Sequence, residues 1–361
     1  MKRRARSRVV FFLPNLQMGG AESMTVLLAS WLAREGLGIS NVVLHAQSRR
    51  LDHLGPRLAG TGVTVLHGAI GYVRTLLSSC LLGRETTFVA ATETYPVLLS
   101  LIARLLCPRS RLLLWLHTDP CRYFQQMPRF GRLYRYVVQS GLSHIICVSA
   151  AVQRQLIVFA GKQVSSVVIH NAIDPDETIS IRNACQGNKA KPTQIGYVGR
   201  ISREKGIDSL LLVFGDPNFN AGRPELSLSI FTDEAGERIV QSRIKDLTGC
   251  RVVSGQNKIS IYGAIGTVVI ASWFEGFSLV CLEAITGGLN IVYRRELDAV
   301  RELLDITNYP AANRFEYSTH EEMATTILKA STTPRLGIEN YPEISALSFA
   351  KFAQAWRSQL N

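Results

Sequence analysis

The chain has 361 residues, 47% hydrophobic and 19% charged. That excludes a disordered protein and exceeds the usual size of a single core, so two domains are expected. The net charge is +12, and residues 1–180 carry nearly all of it, with 20 Lys and Arg against 9 Asp and Glu. No nucleic-acid motif or aromatic-interleaved single-strand platform accompanies that excess, so nucleic acid is excluded. An anionic membrane, a phosphorylated substrate or a merely soluble basic surface remains.

In the first half, apolar runs predict strands at 8–13, 41–46, 63–66, 87–91, 111–116, 144–148 and 166–169. Helical periodicity lies between them, most clearly at 21–35 and 95–106. This alternation is that of a parallel sheet covered on both faces. The segment 121–136, CRYFQQMPRFGRLYRY, mixes four arginines with five Tyr or Phe, which suits a membrane interface or a lid packed on the protein. Pro128 and Gly131 are expected to interrupt a continuous helix there. Residues 183–193, NACQGNKAKPT, read as an interdomain linker. A second alternation follows: strand 194–198, helix 206–214, strand 226–231, helix 234–247, strands near 251–253 and 267–271, helix 279–287, strand 289–293, and helices at 296–304 and 319–331. The tail 345–360 is an amphipathic helix with Ser345 or Ser348 as its cap.

No apolar run reaches membrane-spanning length; VLLSLIARLLC at 97–107 is too short and holds Arg104. The start MKRRARSRVVFFLP runs into the first strand without a small-residue cleavage site, so the chain is expected in the cytoplasm. Cysteines at 80, 107, 121, 147, 185, 250 and 281 form no C-x-x-C pair and are odd in number. They read as buried, reduced thiols, and no metal site is expected.

Three segments carry chemistry. SWFEGFSLVCLEA, 272–284, holds Glu275 and Glu283 with seven residues between them. A carboxylate in the loop before a helix lies among free N–H groups that favour an anion, and a second, two turns on, can reach sugar hydroxyls. The plain alternative is a core helix capped by a surface Glu. IGYVGRISREKGIDSLLL, 195–212, places Arg200 and Lys205 around a glycine turn; they either bind phosphate or form solvated bridges with neighbours such as Glu204. VVFFLPNLQMGGAESM, from residue 9, puts Gly19 and Gly20 at a turn opening a helix, where the backbone can approach an anion closely. Glu22 would sit in the first helical turn. His117 follows RLLLWL at a strand's carboxyl end, where ligands collect; it is either near the ligand or a hydrogen-bonded structural His. Asp119 suits an N-cap.

Taken together, GGAE, GR…KG and Glu-x7-Glu, with LHTD at 116–119, SHIICVSAAV at 143–152 and VIHNAID at 168–174, resemble the retaining GT-B glycosyltransferases of glycosyltransferase family 4, over most of 9–305. The resemblance implies two Rossmann-like domains facing a cleft. The first, 1–182, would take the acceptor and the second, 194–344, the nucleotide-sugar; the helix 345–361 would cross back to the first. It implies that Arg200 and Lys205 bind the donor diphosphate without a metal or other cofactor, and that Glu283 binds the ribose. Glu275 would contact the donor sugar, with the N–H groups of Gly276, Phe277 and Ser278 holding sugar and phosphate. His117 would lie close to the sugar. Retention in this family is ascribed to a front-face mechanism, with a covalent intermediate on Glu275 as the other reading.

The implied activity is transfer of a hexose-type sugar from a UDP-linked donor to a glycan, lipid-linked, in surface-polysaccharide or lipopolysaccharide assembly. The enzyme would sit peripherally on the inner face of the cytoplasmic membrane, against its anionic surface. The alternatives are a soluble GT-B synthase with a non-lipid acceptor and a catalytically degenerate scaffold; the latter conflicts with the presence of Arg200, Lys205 and Glu283. The chain departs from the family pattern at FTDEAGER after strand 226–231, where a glycine-rich turn is usual. It departs also at Ala172, where glycine is usual, and Asn290, where proline is usual.

Overall fold

The computed structural model describes residues 7–17, 19–35, 39–48, 53–81, 85–187, 190–342 and 344–360. The chain divides into two compact units, Met1–Asn171 with Ala350–Asn361, and Ala172–Phe349.

The first unit is built on strands β1 (Ser7–Leu13), β2 (Ile39–Ala46), β3 (Thr64–His67), β4 (Thr86–Ala90), β5 (Arg111–Leu116), β6 (His144–Cys147) and β7 (Ser166–Val168). They form one parallel sheet in the order β3-β2-β1-β4-β5-β6-β7. Strands such as VVFFL and LLLWL are buried along their length, as a sheet covered on both faces requires. Helices α1 (Gly20–Glu35), α2 (Gly68–Leu81) and α3 (Tyr95–Leu106) make the first crossovers.

The second unit holds β8 (Gln194–Val198), β9 (Ser227–Thr232), β10 (Cys250–Ser254), β11 (Thr267–Ile270), β12 (Asn290–Arg294) and β13 (Arg314–Tyr317), ordered β10-β9-β8-β11-β12-β13, again parallel. In both sheets the strand order reverses once, between β1 and β4 and between β8 and β11. In open α/β sheets, ligands bind at the carboxyl ends of the strands at such a reversal.

The break expected at Pro128 is present: a first helical stretch ends at Gln126, and Pro128 opens the next helix, Pro128–Gln139, as suits proline in a first helical turn. Several other local expectations are corrected. Gly131 lies inside that helix, where a Cβ would press on Cβ of Phe124. The linker expected at 183–193 is in part helix: Pro175–Gly187 is held by burial of Ile181 and Cys185. The edge strand β13, RFEY, has too short an apolar pattern to be read beforehand. Cys80 and Cys107, expected as reduced thiols, form a disulfide, since α2 and α3 bring their Cα atoms within 5.5 Å. Asn290, in the usual proline position, is fully buried; its amide donates to the carbonyls of Ala330 and Thr333, and its Oδ1 accepts from Asn313.

The tail forms helix Phe349–Leu360, which belongs almost wholly to the first unit. Its Trp356 is completely buried, with its ring 4.5 Å from that of Trp115 in β5. Trp356→Ala should therefore destabilise the first unit by about 3–5 kcal/mol. The check is faster amide hydrogen exchange in β5, with the strands of the second unit unaffected.

Candidate active site

Strand β8 ends at Val198, and the chain turns through Gly199 into a short 3-10 turn, Arg203–Lys205. Gly206 follows with a left-handed backbone, φ 67°. A Cβ there would collide with the carbonyl oxygen of Ala271, at the end of β11. Glycine thus lets the β8 and β11 loops touch. Across that contact, Nζ of Lys205 donates to Oε1 of Glu275 at 2.7 Å, and the Ser272 hydroxyl donates to the same oxygen at 2.7 Å. The Trp273 N–H donates to the Glu204 carbonyl at 2.8 Å and ties the loops a second time. Arg200 is 3.9 Å from Glu204, between two exposed side chains, a bridge of little energetic weight. Of the two expected cations, only Arg200 therefore pairs with Glu204. Lys205 pairs with the expected sugar-binding carboxylate.

Gly276, Phe277 and Ser278 form the turn after Glu275. Ser278 is left-handed, φ 60°, an uncommon state for a residue with a side chain. Its hydroxyl accepts from the Cys281 N–H and caps helix Leu279–Thr286. A strained cap before a helix N-terminus, beside a lysine, is a setting that favours an anion.

Glu283 lies within that helix and is buried. Its carboxylate accepts from the Tyr262 hydroxyl at 2.6 Å and from Lys258 Nζ at 2.8 Å. Lys258 also donates to Glu177 at 2.6 Å. Burial alone would lower the pKa of Lys258, but Glu283 and Glu177 outweigh it and hold the ammonium well above its ordinary value. Burial raises that of Tyr262 strongly, and Glu283 adds to the rise. Lys258, Tyr262 and Glu177 were not expected from sequence. The i, i+4 spacing of Lys258 and Tyr262 on helix Lys258–Gly263 was the available signal.

In the first unit, Gly19, Glu93 and His117 follow β1, β4 and β5, three adjacent strands. Gly20 opens α1, and a Cβ on Gly19 would collide with the carboxylate of Glu22. The space that glycine leaves at this turn is thus taken by the helix's own acid. Glu93, unforeseen, is buried and accepts from the backbone N–H groups of His117 at 2.7 Å and Thr118 at 3.0 Å. Burial pushes its carboxyl up to about 7 despite those bonds, with Glu22 nearby adding to the rise. The His117 ring packs 4.5 Å from that of Trp115, and burial holds its pKa down to about 3. Its Nε2 has no hydrogen-bond partner among the described residues. Asp119 is an N-cap, accepting from the Cys121 and Arg122 N–H groups.

Residues 182–334 match the family described as Glycosyl transferases group 1. This segment is a group 1 glycosyltransferase domain. The chain is accordingly an enzyme of glycosyl transfer. Among solved structures it is similar to Alr3699/HepE of Anabaena in complex with UDP and glucose, at 18% identity and TM-score 0.75 over 98% of this chain and 99% of that one. It is similar to the sucrose-phosphate synthase of Thermosynechococcus elongatus, at 14% identity and TM-score 0.71, over 98% and 99%. The lipopolysaccharide outer core galactosyltransferase WaaB matches at 15% identity and TM-score 0.61, over 98% and 99%. At these identities the likeness establishes the fold, and the expected GT-B fold is confirmed. No curated protein sequence matches the chain.

The raised carboxyl of Glu93 gives this glycosyltransferase a pH signature. Between pH ~4.5 and ~7 the folded chain holds a proton on Glu93 that the unfolded chain has lost, so this group's contribution to stability falls as pH rises. His117, with its lowered pKa, acts in the opposite sense as pH falls from ~6.5 towards ~3. Glu93→Gln keeps an acceptor for both N–H groups and removes the proton. Comparing urea unfolding at pH 5 and 7.5, the variant should lose roughly 2–3 kcal/mol of the pH-dependent decline seen in the unaltered chain.

Proposed function

We propose that the chain is a retaining family 4 glycosyltransferase. It moves a hexose-type sugar from a UDP-linked donor to a lipid-linked glycan, in surface-polysaccharide or lipopolysaccharide assembly at the cytoplasmic membrane. The second unit holds the donor and the first takes the acceptor. The observation that carries this reading is the Lys205–Glu275 pair at the β8/β11 reversal, beside the N-terminus of the helix that contains Glu283.

In this reading Lys205 is a cation already oriented by Glu275. With Arg200, it meets the charge that grows on the leaving diphosphate, where electrostatic stabilisation has its largest effect. The N–H groups of Gly276, Phe277 and Ser278 supply further donors, and no metal is required. Glu275 contacts the sugar and Glu283 the ribose. Because Tyr262 and Lys258 already donate to Glu283, its carboxylate is fixed before nucleotide arrives, which lowers the ordering cost of binding. His117 offers its free Nε2 to a sugar hydroxyl, and the turn at Gly19 and Gly20 admits an anionic group once the Glu22 carboxylate beside Gly19 moves aside. UDP accompanies Alr3699/HepE, which supports the choice of base.

No helix among the described residues is long and apolar enough to cross a membrane, so association with lipid is peripheral in this reading. A soluble synthase with a non-lipid acceptor is the second reading, favoured by the likeness to the sucrose-phosphate synthase. Incubation with labelled nucleotide-sugars separates them. Label should enter the organic phase when lipid extract is present, and sucrose-like or free-sugar products would instead support the second reading.

Lys205→Ala and Arg200→Ala should each weaken UDP binding, measured calorimetrically without metal, by about 1.5–3 kcal/mol. Unchanged affinity in both would remove them from the diphosphate site. NMR of the first-formed product should show the anomeric configuration of the donor retained; inversion would overturn the family 4 reading itself.

A further inference from the structure

Helix α2 is inside out. Its polar Thr75 and Ser79 are buried and bond back to their own helix, to the carbonyls of Gly71 and Thr75. Its large apolar residues face solvent: Ile70 is 87% exposed, Val73 52% and Leu77 56%. Helix α3 is apolar on both faces. Val97, Ser100 and Ala103 are buried, with Ser100 bonding to the Val97 carbonyl, while Leu105 is 62% exposed, Leu106 59% and Ile102 37%. The two helices are joined by the Tyr72 hydroxyl donating to the Leu99 carbonyl at 2.7 Å and by the Cys80–Cys107 disulfide. A soluble surface does not ordinarily keep such a face uncovered.

Charge selects what covers it. Neither α2 nor α3 contains an Asp or Glu. Arg74 lines the same shallow groove as Ile70, Val73 and Leu77, and Arg109 is exposed just beyond α3. Two copies of this face would bring arginines together with no acid between them. An anionic bilayer presents acyl chains to the apolar residues and phosphate to the arginines.

We propose that the exposed face of α2 and α3 is the surface by which the first unit inserts into an anionic lipid monolayer. This deepens the peripheral-membrane reading above and rests on it. It also assigns a different role to helix Pro128–Gln139. Its Phe124 and Tyr134 neighbours are core residues, packed on each other and on Phe159, and Arg135 lies 5.0 Å from the Phe159 ring. That helix shows Arg129, Arg132 and Arg135 to solvent together with Tyr136 and the edge of Leu133, a face weighted towards electrostatic attraction.

Sedimentation with vesicles of phosphatidylcholine alone, or mixed with phosphatidylglycerol, at low and high salt tests the assignment. The unaltered chain should bind the mixed vesicles and keep part of that binding at high salt, where surface attraction is screened. Ile70→Gln, Leu77→Gln and Leu105→Gln together should lower high-salt binding at least about tenfold. Arg129, Arg132 and Arg135 changed together to Ser should remove only the salt-sensitive part. Amide hydrogen exchange in β4 and β5, unchanged in the apolar variant, shows that the first unit is still folded. High-salt binding equal to that of the unaltered chain would overturn the surface assignment and leave the membrane reading standing. No vesicle binding by the unaltered chain would overturn both. A concentration-dependent dimer abolished by the apolar variant would assign the face to a second copy instead.

Discussion

Lys205 and Glu275 meet because β8 and β11 are neighbours in a sheet whose order reverses between them, and because Gly206 lets the two loops touch. The rest of the second unit's site hangs on that contact. A side chain at residue 206 would displace Ala271, and with it the loop that carries Ser272, Trp273 and Glu275. The 2.7 Å bond then fixes one cation on the residue that precedes the turn Gly276–Ser278, after which the helix that contains Glu283 begins. Positive charge, a helix N-terminus and a fixed carboxylate lie along one short stretch of chain without any group being moved into place.

The two glutamates seven residues apart are held in different physical states. Glu275 is partly open to solvent and has a lysine and a serine on one oxygen. Glu283 is buried and has one partner on each oxygen, a tyrosine and a lysine that is itself shared with Glu177. A buried carboxylate is tolerable only with such partners. The apparatus around Glu283 is therefore as much a condition of folding as of binding, whereas Glu275 is free to answer to a ligand. The first unit makes a parallel choice at its own strand reversal. There a carboxyl, Glu93, is used to hold the loop of His117, and its neighbour His117 is kept uncharged by burial.

The first unit also differs in how it treats its surface. It has a largely apolar sheet, a tail helix sealed by Trp356, and yet two crossover helices with several large apolar residues pointing outward. Those helices are not poorly packed, since Thr75 and Ser79 of α2 and Val97, Ser100 and Ala103 of α3 fill the inner face. The same segments that secure the sheet are thus also arranged to meet a second apolar phase.

Much of this was legible in the chain itself. Continuous apolar runs marked most strands, because a strand covered on both faces must be apolar throughout. The order of GGAE, GR…KG and Glu-x7-Glu pointed to the fold and to the loops at the strand ends. Tertiary structure alone decided which charges pair: Lys205 with Glu275, Lys258 with Glu283, and Glu93 with the backbone of His117 and Thr118. Each joins residues separated by 24 or more positions, and no local pattern encodes such a partner. It decided also that Phe124 and Tyr134 are core, that Cys80 faces Cys107, and that the apolar stripe of α2 looks outward. Periodicity shows that a helix has two faces; only the packing around it settles which one is buried.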